Sequence, residues 1–358
     1  MSANNSSENL DLISDELIKI LELSLTIPLH GSTSAVGLVT NFLCMVILFK
    51  LGLTNSMNIL VFVLSMTDFL VTTLQLSICL CFLLKYLYPD CEVDLWVMGF
   101  YTLGWVRYAG FFISCWVTTL ISVERCLCVV FPFNVGMIVT KTRTVVVIIF
   151  IYIAFLGLVT PIYIQQKLDW ELQYTTGTNG TLFEKWVLTV SFTEQSASLE
   201  IIVDTVGAVS LSLLSQLILT FCTVWMISAL KTSSKIRKVN SGGITLNQLS
   251  GAPIQDEKET GLTSKERRLL RMVICLALIL TACNVPRYAE IAAYHLIPGM
   301  NVGKYKNLSG FLWDLSDFFS TLNCSCNFIV YWKLNSKFRK CFKDMSCRRR
   351  LNNNTAYS

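Results

Sequence analysis

The polar residues able to do chemistry in this chain sit among apolar neighbours that make them costly. Asp68 lies in the run LSMTDFLV. A carboxylate in such surroundings is neutral, paired or ion-bound. Ser114, Asn323 and Asn327 fall at comparable depth in other apolar runs. Oxygen ligands around one carboxylate suit a hard cation such as sodium, or a cluster of ordered water. Asp68, Ser114 and Asn323 are therefore the metal set expected from the sequence, with no other cofactor. The competing reading is a hydrogen-bonded knot without an ion.

A second set closes the apolar run CWVTTLISVERCLCVVFPF. Arg125 sits near its edge and could simply snorkel to the interface. Glu266, at the same depth on another helix, offers it a partner beyond its neighbour Glu124. An Arg125–Glu266 bridge would clamp two helix ends, and breaking it would free them, which makes a bistable element. A third set lies at the opposite ends of the helices: Arg107, Asp204, Arg287, Glu290, Asp314 and Asp317. Arg107, Phe111 and Ser114 follow i, i+4, i+7 spacing and share one stripe of a helix. Charges of both signs converging there point to a wet cavity. The ligand-binding residues expected are Arg107, Phe111, Arg287, Glu290, Asp314 and Asp317. The alternative is that the charges satisfy one another, with Arg107–Asp317 the first such pair.

The elements that position these groups follow from composition. Of the 358 residues, 53% are hydrophobic and only 15% charged. Soluble domains carry about 25% charged residues. The shortage, spread over long apolar runs, makes lipid the solvent. Seven runs are long enough to cross a bilayer: about 26–49, 57–84, 99–130, 144–163, 199–230, 269–296 and 308–332. The expected fold is all-α, a seven-transmembrane-helix bundle. Residues 1–25 form an outer segment, 26–332 the bundle with a flexible inner loop at about 231–266, and 333–358 an inner tail. The tail opens with LNSKFRKCF, which is too short to span and segregates apolar from basic residues, as an interfacial helix does.

Basic residues crowd the loops and tail on one side, from Lys231 to Lys238, from Lys258 to Arg271 and from Lys333 to Arg350. The positive-inside rule then places the N-terminus outside and the C-terminus in the cytoplasm, at the plasma membrane. Sequons at Asn4, Asn5, Asn179 and Asn307 all fall on the outer side and are candidate glycosylation sites. The N-terminus lacks a basic region followed by a cleavable apolar core, so the first helix is expected to direct insertion. Most of the 14 cysteines lie in apolar runs, and with two histidines no zinc spacing appears. Cys341 and Cys347 flank the interfacial helix and are candidate palmitoylation sites.

Taken in order, these residues resemble the rhodopsin-like G-protein-coupled receptors from about Pro28 to Cys347. Asn41 looks like the family's first-helix asparagine, and Asp68 matches its second-helix aspartate. Glu124-Arg125-Cys126, followed by Pro132, is similar to the Asp-Arg-Tyr signature. Cys283-Asn284-Val285-Pro286 resembles Cys-Trp-x-Pro, and Asn327-Phe328-Ile329-Val330-Tyr331 resembles Asn-Pro-x-x-Tyr. The resemblance implies that Glu124, Arg125, Glu266, Cys283, Pro286, Asn327 and Tyr331 carry activation and G-protein coupling. Pro286 would give the sixth helix a hinge. It also implies a heterotrimeric G protein, a receptor kinase and arrestin as partners, with no nucleic acid.

The departures from the pattern are specific. Phe100 stands where the family's third helix has a disulfide cysteine, and residues 165–198 contain no cysteine. Cys91 could pair with Cys79 or Cys81 instead, or stay a free thiol. Arg107 stands where amine receptors carry an aspartate, which disfavours an amine. No lysine occurs between Leu308 and Tyr331, which excludes retinal. The stretches around Arg125 and after Asn327 look like those of invertebrate neuropeptide and chemosensory receptors. Acidic outer loops favour a short peptide with a basic residue, and a small zwitterion is the runner-up. An enzyme lacks a nucleophile–base pair here. A transporter would show paired repeats with interrupted helices, which the sequence lacks.

Overall fold

The computed structural model describes residues 12–131, 135–176, 182–191, 194–247, 264–300 and 303–355. Its helices are α1 (Asp15–Ser24), α2 (Gly31–Leu51), α3 (Ser56–Leu87), α4 (Leu95–Val130), the short α5 (Val135–Ile138), α6 (Lys141–Gln165), α7 (Glu194–Val203), α8 (Ser212–Asn247), α9 (Ser264–Leu296), α10 (Lys306–Leu334) and α11 (Ser336–Thr355). The seven spans are α2, α3, α4, α6, α7 with α8, α9 and α10. Six of them are long and apolar enough to cross a membrane by length and composition. The seventh, α10, carries Asp314, Asp317, Asn323 and Asn327, and buries most of that polarity against α9 and α2.

Local chemistry sets the element ends. Asn55 and Asp94 cap α3 and α4 by accepting from the N–H groups of Asn58 (2.8 Å) and Val97 (3.2 Å). Two spans contain a π-helical turn. Leu25–His30 joins α1 to α2 around Pro28, which lacks an N–H, and Asp204–Leu211 joins α7 to α8. Pro286 lies inside α9 and has no N–H for the Ala282 carbonyl, as a hinge there requires. Gly37 of α2 faces the side chains of Ser325 and Thr72 so closely that a β-carbon would meet both, which lets the first, second and seventh spans touch.

The expected helical bundle is present, and one connection between spans adds a detail the expectation did not contain: Lys167–Thr176 (β1) and Leu182–Ser191 (β2) form an antiparallel hairpin in register Lys167↔Ser191 to Thr176↔Leu182. The alternation Leu168, Trp170, Leu172, Tyr174 is a period-2 pattern that favours a strand over a loop. α8 runs on to Asn247, into the stretch expected as the inner loop. The amphipathic tail helix is longer than the LNSKFRKCF stretch. Phe338 of α11 is fully buried, and Phe338 and Phe342 pack on Phe328 of α10 at 5.7 and 6.1 Å between ring centroids.

Cys91 forms no disulfide. The hairpin is held to the segment before α4 by hydrogen bonds instead. Leu188 N–H donates to the Glu92 carbonyl (2.7 Å) and Asp94 N–H to the Leu188 carbonyl (3.0 Å). Lys185 Nζ donates to the carbonyls of Cys91 (2.9 Å) and Pro89 (3.3 Å). A short parallel bridge, Val93↔Leu188, completes the join.

Candidate functional site

At the hairpin end of the bundle, the third, sixth and seventh spans each direct one charge to a common point. Arg107 of α4 donates through Nη2 to Asp317 Oδ2 (2.6 Å), and Arg287 of α9 through Nη2 to Asp317 Oδ1 (2.8 Å). All three residues are buried. The pairing expected between Arg107 and Asp317 is present, and Arg287 extends it into a three-helix bridge. Glu290 lies one turn along α9, 3.5 Å from Arg287 Nη1, and accepts from Ser316 Oγ (2.8 Å). Rings flank the second guanidinium: it lies over Trp313 at 5.2 Å and Tyr108 at 6.0 Å. Removing one member of a buried charge set leaves the others uncompensated, at about 3–5 kcal/mol. One carboxylate thus links the three spans.

Beside it opens a cavity of about 280 Å³ lined by Tyr101, Trp105, Arg107, Tyr108, Glu200, Asp204 and Trp313, among others. Arg107 supplies a cationic wall, and Glu200 and Asp204 an acidic one. Tyr108 Oη donates to Asp204 Oδ1 (2.6 Å), which fixes that carboxylate in the wall. Of the ligand-binding residues read from the sequence, Arg107 lines this cavity, and Arg287, Glu290 and Asp317 stand behind it. Phe111 is instead buried in the aromatic core against Phe112 (5.3 Å). It lies on the expected stripe but below the cavity. Asp314 lies half-buried on α10, about one turn before Asp317. Sequence reasoning missed Glu200, Tyr108 and Trp313. The signal was present for the two aromatics, which sit next to sites already singled out, Tyr108 after Arg107 and Trp313 before Asp314.

Midway down the bundle, Asp68 accepts from Ser114 Oγ (2.5 Å) and Asn327 Nδ2 (2.6 Å), one oxygen each. Asp68, Ser114 and Asn327 thus form one hydrogen-bonded cluster across three spans. Asn327 rather than Asn323 supplies the seventh-span donor; Asn323 is buried but does not bond Asp68. The donor set still fits a sodium ion, because the Ser114 hydroxyl can turn its lone pairs inward and the Asp68 carboxylate is already central. Asn41 donates to the Cys324 carbonyl (2.9 Å), linking the first span to the same region.

At the other end, Arg125 Nη2 pairs with the adjacent Glu124 (2.9 Å), whose Oε1 also accepts from Ser56 Oγ (2.8 Å). Both the carboxylate Oε2 and the Arg125 Nε are buried without a partner. The Glu266 side chain and Pro132 lie outside the described residues, so the Arg125–Glu266 bridge does too. Cys283 is buried in α9 near Pro286. Tyr331 is buried against Phe338 (6.0 Å), with its hydroxyl unpartnered.

Of the modification sites, Asn4, Asn5, Asn179 and the Cys347 side chain lie outside the described residues. Cys341 is half-buried on α11 beside Phe342. Asn307 Nδ2 donates to the Ile13 carbonyl (2.8 Å) and Asp15 Oδ1 (2.9 Å). A glycan on that nitrogen would take the place of one of its two donated hydrogens, so it would cost one of these contacts.

Comparison with known proteins agrees with this geometry. The profile of the family described as "7 transmembrane receptor (rhodopsin family)" matches residues 41–331. A galanin-like G-protein-coupled receptor of Caenorhabditis elegans is 23% identical over 78% of this chain. The short-wave-sensitive opsin 1 of Rattus norvegicus is 31% identical over 29% of it, and the violet-sensitive opsin of Xenopus laevis 30% over 33%. The chain spans 63% of the length of the first of these relatives, 28% of the second and 32% of the third. The Asn41, Asp68, Arg125, Pro286 and Asn327 positions all fall inside the matched range, each on the span the family pattern demands. This chain is a multi-pass membrane protein and belongs to the rhodopsin family of seven-transmembrane receptors.

Proposed function

We propose that this receptor binds an extracellular short neuropeptide bearing a basic residue, in the cavity beneath the hairpin. Binding there would activate a heterotrimeric G protein at the Arg125 end. The observation that carries the reading is the two-signed cavity, with Glu200 and Asp204 facing Arg107 across about 280 Å³. A cationic side chain is complementary to the acids, and a polar or anionic terminus to the arginine. The hairpin adds a recognition surface. Trp170, Leu172 and Tyr174 share one face with the cross-strand partner Trp186, and all four are exposed. Such aromatic surface gives contact area at low entropic cost. The galanin-like relative, matched over 78% of the chain, supports a peptide; the two opsins match 29% and 33% of it, and no lysine stands between Leu308 and Tyr331 to hold retinal.

The orientation proposed is N-terminus outside and C-terminus in the cytoplasm of the plasma membrane, on the distribution of basic residues. Ligand preference for one of two bundle states then shifts the population at the far end. A receptor kinase and arrestin are proposed partners at the cytoplasmic face. One observation favours a second reading, a small zwitterion sensed as a chemical cue. The cavity lies just under the ~300–1,000 Å³ of sites for drug-sized ligands. Guanine-nucleotide exchange in membranes bearing the receptor, challenged with short neuropeptides and polar metabolites, tests both. A peptide response supports the first reading and a response to metabolites alone the second. Silence from a folded, surface-exposed receptor across both libraries counts against both.

A further inference from the structure

We propose that Arg107 and Arg287 form an anion receptor in which Asp317 occupies the place that a carboxylate of the ligand takes. Asp317 gives one oxygen to each guanidinium, at 2.6 and 2.8 Å. A guanidinium binds a carboxylate best through two parallel N–H donors. Neither arginine is used that way: the Nε–H of Arg107 and of Arg287 are both buried without a partner. Glu290, at 3.5 Å from Arg287 Nη1, does not fill that Nε either. Two buried forks are therefore half-filled around one shared carboxylate.

The site is also reachable. Arg107 forms part of the wall of the cavity beneath the hairpin, and the rings of Tyr108 and Trp313, which line the same cavity, flank Arg287. An incoming carboxylate can take both donors of one fork while Asp317 keeps the other guanidinium, so neither carboxylate is left as an unpaired buried charge. Because Asp317 is the link between the third, sixth and seventh spans, such an exchange loosens their hold on one another. The ligand class is a molecule with a free carboxylate. For a peptide this means an unmodified C-terminus or an acidic side chain, with its cationic group toward Glu200 and Asp204. The identity of the natural ligand rests on the cavity reading above; the anion receptor itself does not.

The test is chemical rescue of the full-length receptor in lipid nanodiscs. Asp317→Ala vacates the carboxylate position, and thermal unfolding is followed against sodium formate, with sodium chloride at equal ionic strength as control. The expected result is a saturable rise in Tm for Asp317→Ala. That rise should be absent in the native receptor and in Asp317→Ala combined with Arg107→Gln. No rise, or an equal rise in all three proteins, overturns the proposal. A second measurement covers a variant that fails to fold. Short peptides containing one Arg or Lys, each made as free acid and as C-terminal amide, are compared by their Tm shift on the native receptor. A preference of tenfold or more for the acid, lost in Arg107→Gln, is expected, and equal effects of acid and amide overturn it. Formate rescue without any peptide binding would keep the anion receptor and remove the peptide reading. Peptide binding without rescue or acid preference would do the reverse.

Discussion

Asp94 concentrates the connections that stand in for the family's missing disulfide, and its replacement separates their energies. Its N–H donates to Leu188 of the hairpin (3.0 Å), its Oδ1 caps α4 by accepting from Val97 N–H (3.2 Å), and its carboxylate pairs with Lys85 at the end of α3 (3.1 Å). Asp94 is 8% exposed, whereas the Lys85 side chain is 48% exposed. Loss of an N-cap costs about 1 kcal/mol. An ion pair with one partner half in solvent contributes a few tenths, roughly 0.3 kcal/mol. Asp94→Ala should therefore destabilise by about 1–1.5 kcal/mol, and Asp94→Asn, which keeps the cap, by only about 0.3 kcal/mol. Thermal unfolding of the two variants reads the difference, and hydrogen exchange at Leu188 reads loosening of the hairpin. Equal loss in both variants would show that the ion pair dominates and refute the capping argument. No loss in either would refute the anchoring role altogether.

Three other outcomes follow from the described contacts. The four hydrogen bonds joining the hairpin to residues 89–94 contribute about 0.5–1.5 kcal/mol each, comparable in sum to the ~2–4 kcal/mol of a disulfide. Reducing agent should accordingly leave Tm and ligand affinity unchanged, and a fall of several degrees would reveal a disulfide. Arg125→Ala should abolish nucleotide exchange while leaving ligand affinity within about threefold, since Arg125 lies at the far end from the cavity; a parallel loss of binding would indicate misfolding instead. Asp68→Asn should remove any dependence of agonist affinity on sodium, by eliminating the charge that Ser114 and Asn327 surround; an unchanged salt response would leave the hydrogen-bonded knot as the whole role of this site.

Much of the bundle was legible because lipid imposes a simple rule: a span needs a long apolar run, and a polar residue inside it needs a partner. Asp68 with Ser114, and Arg107 with Asp317, were readable on that ground. What the sequence hid is mostly contact between elements distant in the chain. That Arg287 and Arg107 share one carboxylate depends on where α9 leans relative to α4, which no local spacing encodes. Asn327 displaced Asn323 as the Asp68 donor because the two lie four residues, about one helical turn, apart on α10, and depth alone does not choose between them. The hairpin was missed for a different reason. Its alternation of Leu168, Trp170, Leu172 and Tyr174 is local, but a short connection between spans carries no long apolar run of the kind that marks the bundle.

Phe328 shows how a departure from the family pattern can be compensated, and it yields the sharpest reversal of expectation. Where the family usually has proline, Phe328 stacks on Trp332 (6.2 Å) and meets Phe338 and Phe342 of α11 (5.7 and 6.1 Å). Its N–H is the helical donor to the Cys324 carbonyl, four residues earlier. That carbonyl also accepts from Asn41 Nδ2 at 2.9 Å. Phe328→Pro, although it restores the family residue, removes the ring that joins α10 to α11. A proline inside a helix costs about 3 kcal/mol, but here Asn41 keeps the exposed carbonyl partly satisfied, so the backbone share should be nearer 1–2 kcal/mol. Loss of a half-buried ring adds about 1–2 kcal/mol. The net expectation is destabilisation by about 2–4 kcal/mol, roughly halved if Phe328→Ala is made instead, because alanine keeps the N–H. Asn41→Ala in the Phe328→Pro background should then cost more than in the native chain, since the Cys324 carbonyl would lose both donors. Additive losses in that double-mutant cycle would show that the asparagine and the helical N–H do not share the carbonyl's burden, and a gain in Tm from Phe328→Pro alone would refute the packing role of the aromatic elbow.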